Sequence, residues 1–148
     1  MQRSGQLEQA VQYITLRQGS ADEAMALVER AKKHISQVGL DQAMKDFQKR
    51  EGGFVDRDLY IFVFDRDGVY RVMGADAAKV GTHLSESPGL DAHKLIADAW
   101  ERADKGGGWV EYNIHNLATG DVRGKSSFIL PIDQNRLMGC GAYRSALL

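Results

Sequence analysis

In the first third of the chain, apolar residues recur every three or four positions, the period of helices with one face turned inward. Over residues 5–19, Leu7, Val11 and Ile14 share a helical face, with Ala10 beside them. Leu7 and Ile14 also suit a coiled-coil seam, but two turns are too few to define one, and so short a helix is marginal alone. It is expected to lean on a partner helix or to continue one lying upstream. Ser20 and Glu23 form the S-x-x-E pattern of a capping box, so a new helix is predicted to start near Ala21. Its stripe is Ala24, Leu27, Val28, Ala31, Ile35 and Val38, closed by Gly39. A shorter helix follows with Ala43, Met44 and Phe47 inward, and it stops at Glu51-Gly52-Gly53.

From Asp58 the period changes. "DLYIFVFD" (58–65) is rich in β-formers and apolar on both faces, which predicts a central strand. "DRDG" (65–68) makes a tight turn and "VYRVM" (69–73) the hairpin partner. A loop with Gly81, Pro88 and Gly89 leads to a helix carrying Leu95, Ile96, Ala99, Trp100 and Ala103, ended by "KGGG". Three more strands follow, at 109–114, 123–132 and 136–143, joined by short polar connections. Consecutive strands on short turns form an antiparallel sheet, and helices segregated to its flanks make the class α+β. The expected organisation is one domain over 20–148 with a helical extension at 1–19.

Composition narrows the functions. The chain has 148 residues, 43% hydrophobic and 26% charged, as in one ordinary globular domain. Its formal net charge of −1 and lack of a basic run argue against a nucleic-acid partner. Cys140 is the sole cysteine, so no intrachain disulfide or cysteine-based metal site can form. No apolar run reaches the length of a membrane span. His34, His83, His93 and His115 fall in no metal-ligand spacing, with His34 at the boundary of a helical stripe and His93 and His115 expected at the surface. No nucleophile elbow surrounds Ser127 or Cys140, and Cys140 between two glycines reads as a small buried filler. No cofactor and no enzymatic activity are expected.

The strand pattern carries two open questions. Tyr60, Phe62 and Phe64 share one face of the first strand, and Leu59, Ile61 and Val63 the other. One face covers helices; the other needs a second cover or a pocket. A buried Tyr60 requires a hydrogen-bond partner, whereas Phe62 and Phe64 are satisfied by packing alone. In "GKSSFIL" (124–130), Lys125 and Ser127 share a face opposite Phe128 and Leu130. Spacing alone allows Lys125 to lie on a solvated outer face, to be a gatekeeper on an edge strand, or to be the partner of an anion.

The ordered set "DRDLYIFVFDRDG", "KVGTHL", "GGGWVEY", "GKSSF" and "GCGAY" resembles the single Cache domain of bacterial chemoreceptors, second subtype, over roughly residues 21–144. The resemblance implies a PAS-like fold: a long N-terminal helix behind a five-stranded antiparallel sheet, with a helix crossing between strands two and three. It places the lysine strand between two neighbours, which weakens the gatekeeper reading. It also implies a pocket on the concave face for a short-chain carboxylate such as acetate, propionate or pyruvate. Lys125 stands at the family's carboxylate-binding position, Tyr60 and Trp109 at its first-strand tyrosine and G-W-V-x-Y tryptophan, and Tyr112 and Tyr143 at further aromatic positions. The expected binding set is therefore Lys125, Tyr60, Trp109, Ser127, Phe62 and Tyr112. The sequence departs from the pattern at Asn116-Leu117, at Ser127-Phe128 and around Met73-Gly74, losing a phenol and an imidazole.

The resemblance further implies a membrane-anchored chemotaxis receptor of the methyl-accepting type, paired as a homodimer through N-terminal helices. "QLEQAVQYITLRQG" resembles the tail after a chemoreceptor's cytoplasmic signalling helices, which places this module at the cytoplasmic C-terminal end of an inner-membrane receptor. The alternative is the family's usual periplasmic position. The competing function is a dimerisation module whose pocket is empty or filled by Phe62, Phe64 and Trp109.

Overall fold

The structure, a computed structural model, describes residues 18–144, so the helical extension expected over 1–19 lies almost wholly outside the described residues. Helix α1 (Ala21–Val38) starts where the capping box predicts: the Ser20 hydroxyl accepts from the Glu23 N–H, and the Glu23 carboxylate accepts from the Ser20 N–H. A cap of this kind contributes about 1 kcal/mol. Ala24, Leu27, Val28 and Ala31 are buried, but Val38 is 41% exposed, because the chain already turns at Gly39 (φ 86°) into helix α2 (Leu40–Gln48). Phe47 of α2 meets Phe54 edge-on at 4.8 Å. His34 packs against both rings with its Nε2 2.7 Å from Asp46 Oδ2, the boundary role its spacing suggests.

The run 58–65 is not one strand. Val55–Asp56 (β1) and Leu59–Tyr60 (β2) form a small hairpin, and the chain re-enters the main sheet at Phe62–Asp65 (β3). Ile61 sits between, its N–H donating to the Phe54 carbonyl and its carbonyl accepting from Gly74 N–H. A two-residue β1 has too few positions for periodicity to announce it. Tyr70–Met73 (β4), Gly108–His115 (β5), Val122–Pro131 (β6) and Arg136–Tyr143 (β7) complete a five-stranded antiparallel sheet in the order β4-β3-β7-β6-β5. Helix α3 (Ala92–Asp104) crosses between β4 and β5.

Alternation sends the sheet's side chains into two layers. Leu59, Ile61, Val63, Val72, Met138, Cys140 and Ala142 pack on α1 and α2. On the other face Phe64, Tyr70, Met73, Ile129 and Leu137 meet Leu95, Ala99, Trp100 and Ala103 of α3. A register shift at Val63/Phe64 bulges the β3–β4 pair and brings both Tyr70 and Met73 to the α3 side. Strand β6 lies between β7 and β5, so Lys125 is not an edge residue and the gatekeeper reading fails.

Candidate ligand-binding site

Between the α3 face of the sheet and the loop before α3 lies a cavity of about 320 Å³. Tyr60, Phe62, Phe64, Tyr70, Met73, Tyr112, Ile114 and Lys125 line it from the sheet; Lys79, Leu84, Ser87, Pro88, Leu90 and Leu95 line it from the loop and α3. Its size is at the low end of small-molecule sites, and an apolar wall with few polar groups is their usual make-up.

Lys125 reaches this cavity across β7. It stands opposite Tyr143 and Tyr112 in register, and only 5% of it is exposed. Its ammonium lies 5.2 Å from the Tyr60 ring centroid and 5.0 Å from that of Tyr143. Each such contact is worth roughly 0.5–2 kcal/mol, and neither cancels a positive charge. Among the described residues Lys125 Nζ has no hydrogen bond and no ion pair. The stem lies over Gly141: a Cβ there would come within 2.6 Å of both Lys125 Cε and Ser127 Oγ. Gly139, two residues earlier on the same face, leaves the same kind of room for Phe62 and Ile129, whose atoms would meet a Cβ at 2.5 and 2.8 Å. A G-C-G triplet in a strand is a signal for such close approach, and it is the legible mark of this site that spacing arguments passed over.

The phenols are held in their neutral form. Burial pushes Tyr60 up to about 12, with Tyr143 and Cys140 adding to it, and burial likewise pushes Tyr70 up to about 12. Burial raises Tyr112 further, partly offset by its hydrogen bond to Ser127 (2.8 Å). Each keeps an O–H at neutral pH. Burial also pushes the Cys140 thiol up to about 12, in keeping with a filler on the helix side of the sheet.

Of the six residues expected from sequence, Lys125, Tyr60, Phe62 and Tyr112 line the cavity. Ser127 shares their face but is fully buried, and its hydroxyl is engaged by Tyr112, so it orients that ring and does not reach the cavity. Trp109 is misplaced: Val110, Tyr112 and Ile114 take the cavity side of β5, so alternation turns Trp109 to the α1 side, 5.2 Å from the Phe128 ring. Tyr70, Lys79 and Ser87 went unrecognised because a bulge and two short 3-10 turns (Ala77–Lys79 and Leu84–Glu86) deliver them. His83 anchors that loop: its Nε2 donates to the Asp67 carbonyl (2.6 Å), while its Nδ1 accepts from Ser85 N–H (3.0 Å). His93 and His115 are exposed, as expected. Among the described residues no group of three or more His, Cys, Asp or Glu side chains converges as a metal site would need, and no helix is long and apolar enough to cross a membrane.

Known proteins share this architecture. The chain is 29% identical over 135 residues to the sensor histidine kinase MctS of Rhizobium johnstonii, a match covering 90% of this chain and 26% of MctS, so it spans about a quarter of that relative. Three solved structures share the fold. A methyl-accepting chemotaxis protein of Vibrio parahaemolyticus superposes with a TM-score of 0.61 at 17% identity, over 82% of this chain and 86% of that one. A Cache chemosensory domain studied for carboxylic acid recognition gives 0.51 at 15% identity, over 97% and 94%. A periplasmic sensor domain of a chemotaxis protein gives 0.53 at 16%, over 97% and 96%. The Single Cache domain 2 family model matches residues 3–145. With its five-stranded sheet, crossing helix and long N-terminal helix, the chain belongs to the single Cache domain 2 family of sensor domains.

Proposed function

We propose that this domain senses a small carboxylate, whose negative group pairs with Lys125 while Tyr60 and Tyr112 close around it. The observation that carries this reading is Lys125: the residue is 5% exposed, and its ammonium opens to the cavity without an anion among the described residues. The cavity around it is largely apolar, so an incoming carboxylate gains a charge-assisted hydrogen bond where few other polar groups compete. The carboxylic acid recognition described for a Cache domain of the same fold supports the ligand class. Acetate, propionate and pyruvate are the first candidates. The competing filled-pocket module finds less support, since Trp109 faces away and Phe62 and Phe64 stack parallel at 5.8 Å along the wall of an open cavity.

The output of such a sensor runs through the N-terminal helix. Asp58, two residues before Tyr60, accepts from Gly19 N–H at 2.7 Å, and the Tyr143 carbonyl accepts from Gln18 at 3.4 Å. The two strands whose rings flank Lys125 thus hold the chain just before α1, and ligand binding shifts that segment only as far as the two arrangements differ in affinity. A homodimer through N-terminal helices, a membrane-anchored receptor as the whole protein, and a place at its cytoplasmic C-terminal end belong to the same proposal. A membrane span directly after Leu148 in the full-length sequence overturns that placement, and a monomer in sedimentation overturns the dimer.

The test is a thermal-shift series with acetate, propionate and pyruvate against the parent chain and Lys125→Met. A ligand at one hundred times its dissociation constant adds about 2.7 kcal/mol, a rise of several degrees in Tm. The expected result is a rise in the parent that vanishes in Lys125→Met. An equal rise in both, or no rise in the parent with any short-chain carboxylic acid, overturns the proposal.

A further inference from the structure

Lys79 is the second charged side chain on the cavity wall. The lining contains two lysines and no aspartate or glutamate, although the chain as a whole has 19 basic and 20 acidic residues. Lys79 is half-buried, and like Lys125 its Nζ has no hydrogen bond or ion pair among the described residues. Asp76, three residues earlier, is the acid nearest in sequence, but its carboxylate accepts from Ala78 N–H and makes no ion pair with Lys79. The Lys79 backbone is pinned: its N–H donates to the Asp76 carbonyl, and its own carbonyl accepts from both the N–H (3.0 Å) and the hydroxyl (2.7 Å) of Thr82. Between the two lysines the wall is apolar, with Phe62, Phe64, Met73 and Leu84.

From these positions we infer that the ligand is a small dicarboxylate, one carboxylate on Lys125 and the other on Lys79, with its methylene chain against the apolar wall. A monocarboxylate leaves the half-buried Lys79 without a counter-ion. A dianion compensates both charges, while its hydrocarbon middle asks for no polar partner. The inference rests on the carboxylate reading of Lys125 and adds to it the valence of the ligand and the role of Lys79 as the specificity-determining residue.

The experiment is isothermal titration calorimetry of the 148-residue chain at fixed ionic strength. Malonate, succinate and glutarate are compared carbon for carbon with propionate, butyrate and valerate, on the parent and on Lys79→Gln. At least one diacid is expected to bind roughly tenfold more tightly than its monoacid counterpart, the size of one charge-assisted hydrogen bond. Lys79→Gln is expected to remove that advantage, bringing the ratio of diacid to monoacid affinity down to about one. Monoacids that bind as well as every diacid, or an advantage that survives Lys79→Gln, overturn the dicarboxylate inference and leave the carboxylate reading standing. If neither series binds, both fall.

Discussion

The two faces of the sheet are made by the same strands and do opposite things. On the α1 side every inward position of β7 carries a side chain, and Met138, Cys140 and Ala142 fill the space beneath the helices. On the α3 side the alternate positions are Gly139, Gly141 and Tyr143, and the missing side chains make room for Phe62 and Lys125. One face is closed packing with no polar side chain in its buried cluster; the other contains a lysine, neutral phenols and a cavity. Close packing and the cavity are thus separated by the period of a strand, with adjacent residues turned to different faces.

That separation breaks most visibly on the packed face. Phe47→Ala removes a fully buried ring and is expected to cost about 3–5 kcal/mol in urea unfolding. The surviving folded protein should bind carboxylate within twofold of the parent; a large affinity loss would join the two faces. On the open face, Gly141→Ala adds one methyl at a backbone angle any residue adopts, so its effect comes from the clash with Lys125 and Ser127. It is expected to cost about 1–3 kcal/mol and to abolish the ligand-induced rise in Tm. Combining it with Lys125→Ala should recover part of the stability, because one of the two obstructing atoms is gone; a strictly additive double mutant would show the clash lies elsewhere.

A smaller effect comes from alkali. Tyr60 and Tyr70 titrate near 12 in the folded chain and near 10 when unfolded, so between those values the unfolded state binds fewer protons and stability falls as pH rises. Each phenol's stabilisation is complete below pH 10, and the loss by pH 12 is on the order of 2 kcal/mol per ring. Phenolate absorbance should therefore rise late and together with unfolding, and a full tyrosine titration near pH 10 in folded protein would contradict it. Smallest of all is Trp109→Phe. Since Trp109 packs against Phe128 behind the sheet, the change is expected to leave carboxylate affinity within twofold, and a tenfold loss would return it to the site.

Much of the fold was legible because it follows from local rules. The Ser20–Glu23 box, the stripe from Ala24 to Ala31, the stop at Gly39 and the bounds of β7 stand where periodicity and turn chemistry put them. The opposition of Lys125 and Ser127 to Phe128 and Leu130 was likewise a matter of alternation. What alternation does not supply is which face of a strand meets which layer. Trp109 and Tyr112 are three apart and lie on opposite sides, and nothing in "GWVEY" says which side is the cavity until β5 pairs with β6.

The sequence by itself determined the helices, the antiparallel strands and the presence of a lysine inside a β-run, since each depends on neighbours within a few residues. Only the tertiary structure decided that Lys125 sits between Tyr60 and Tyr143, that Gly141 leaves it room, and that a bulge and a 3-10 turn bring Tyr70 and Lys79 to the same cavity. Those contacts join residues far apart along the chain, and they arise from strand order and register, which no short window of sequence contains.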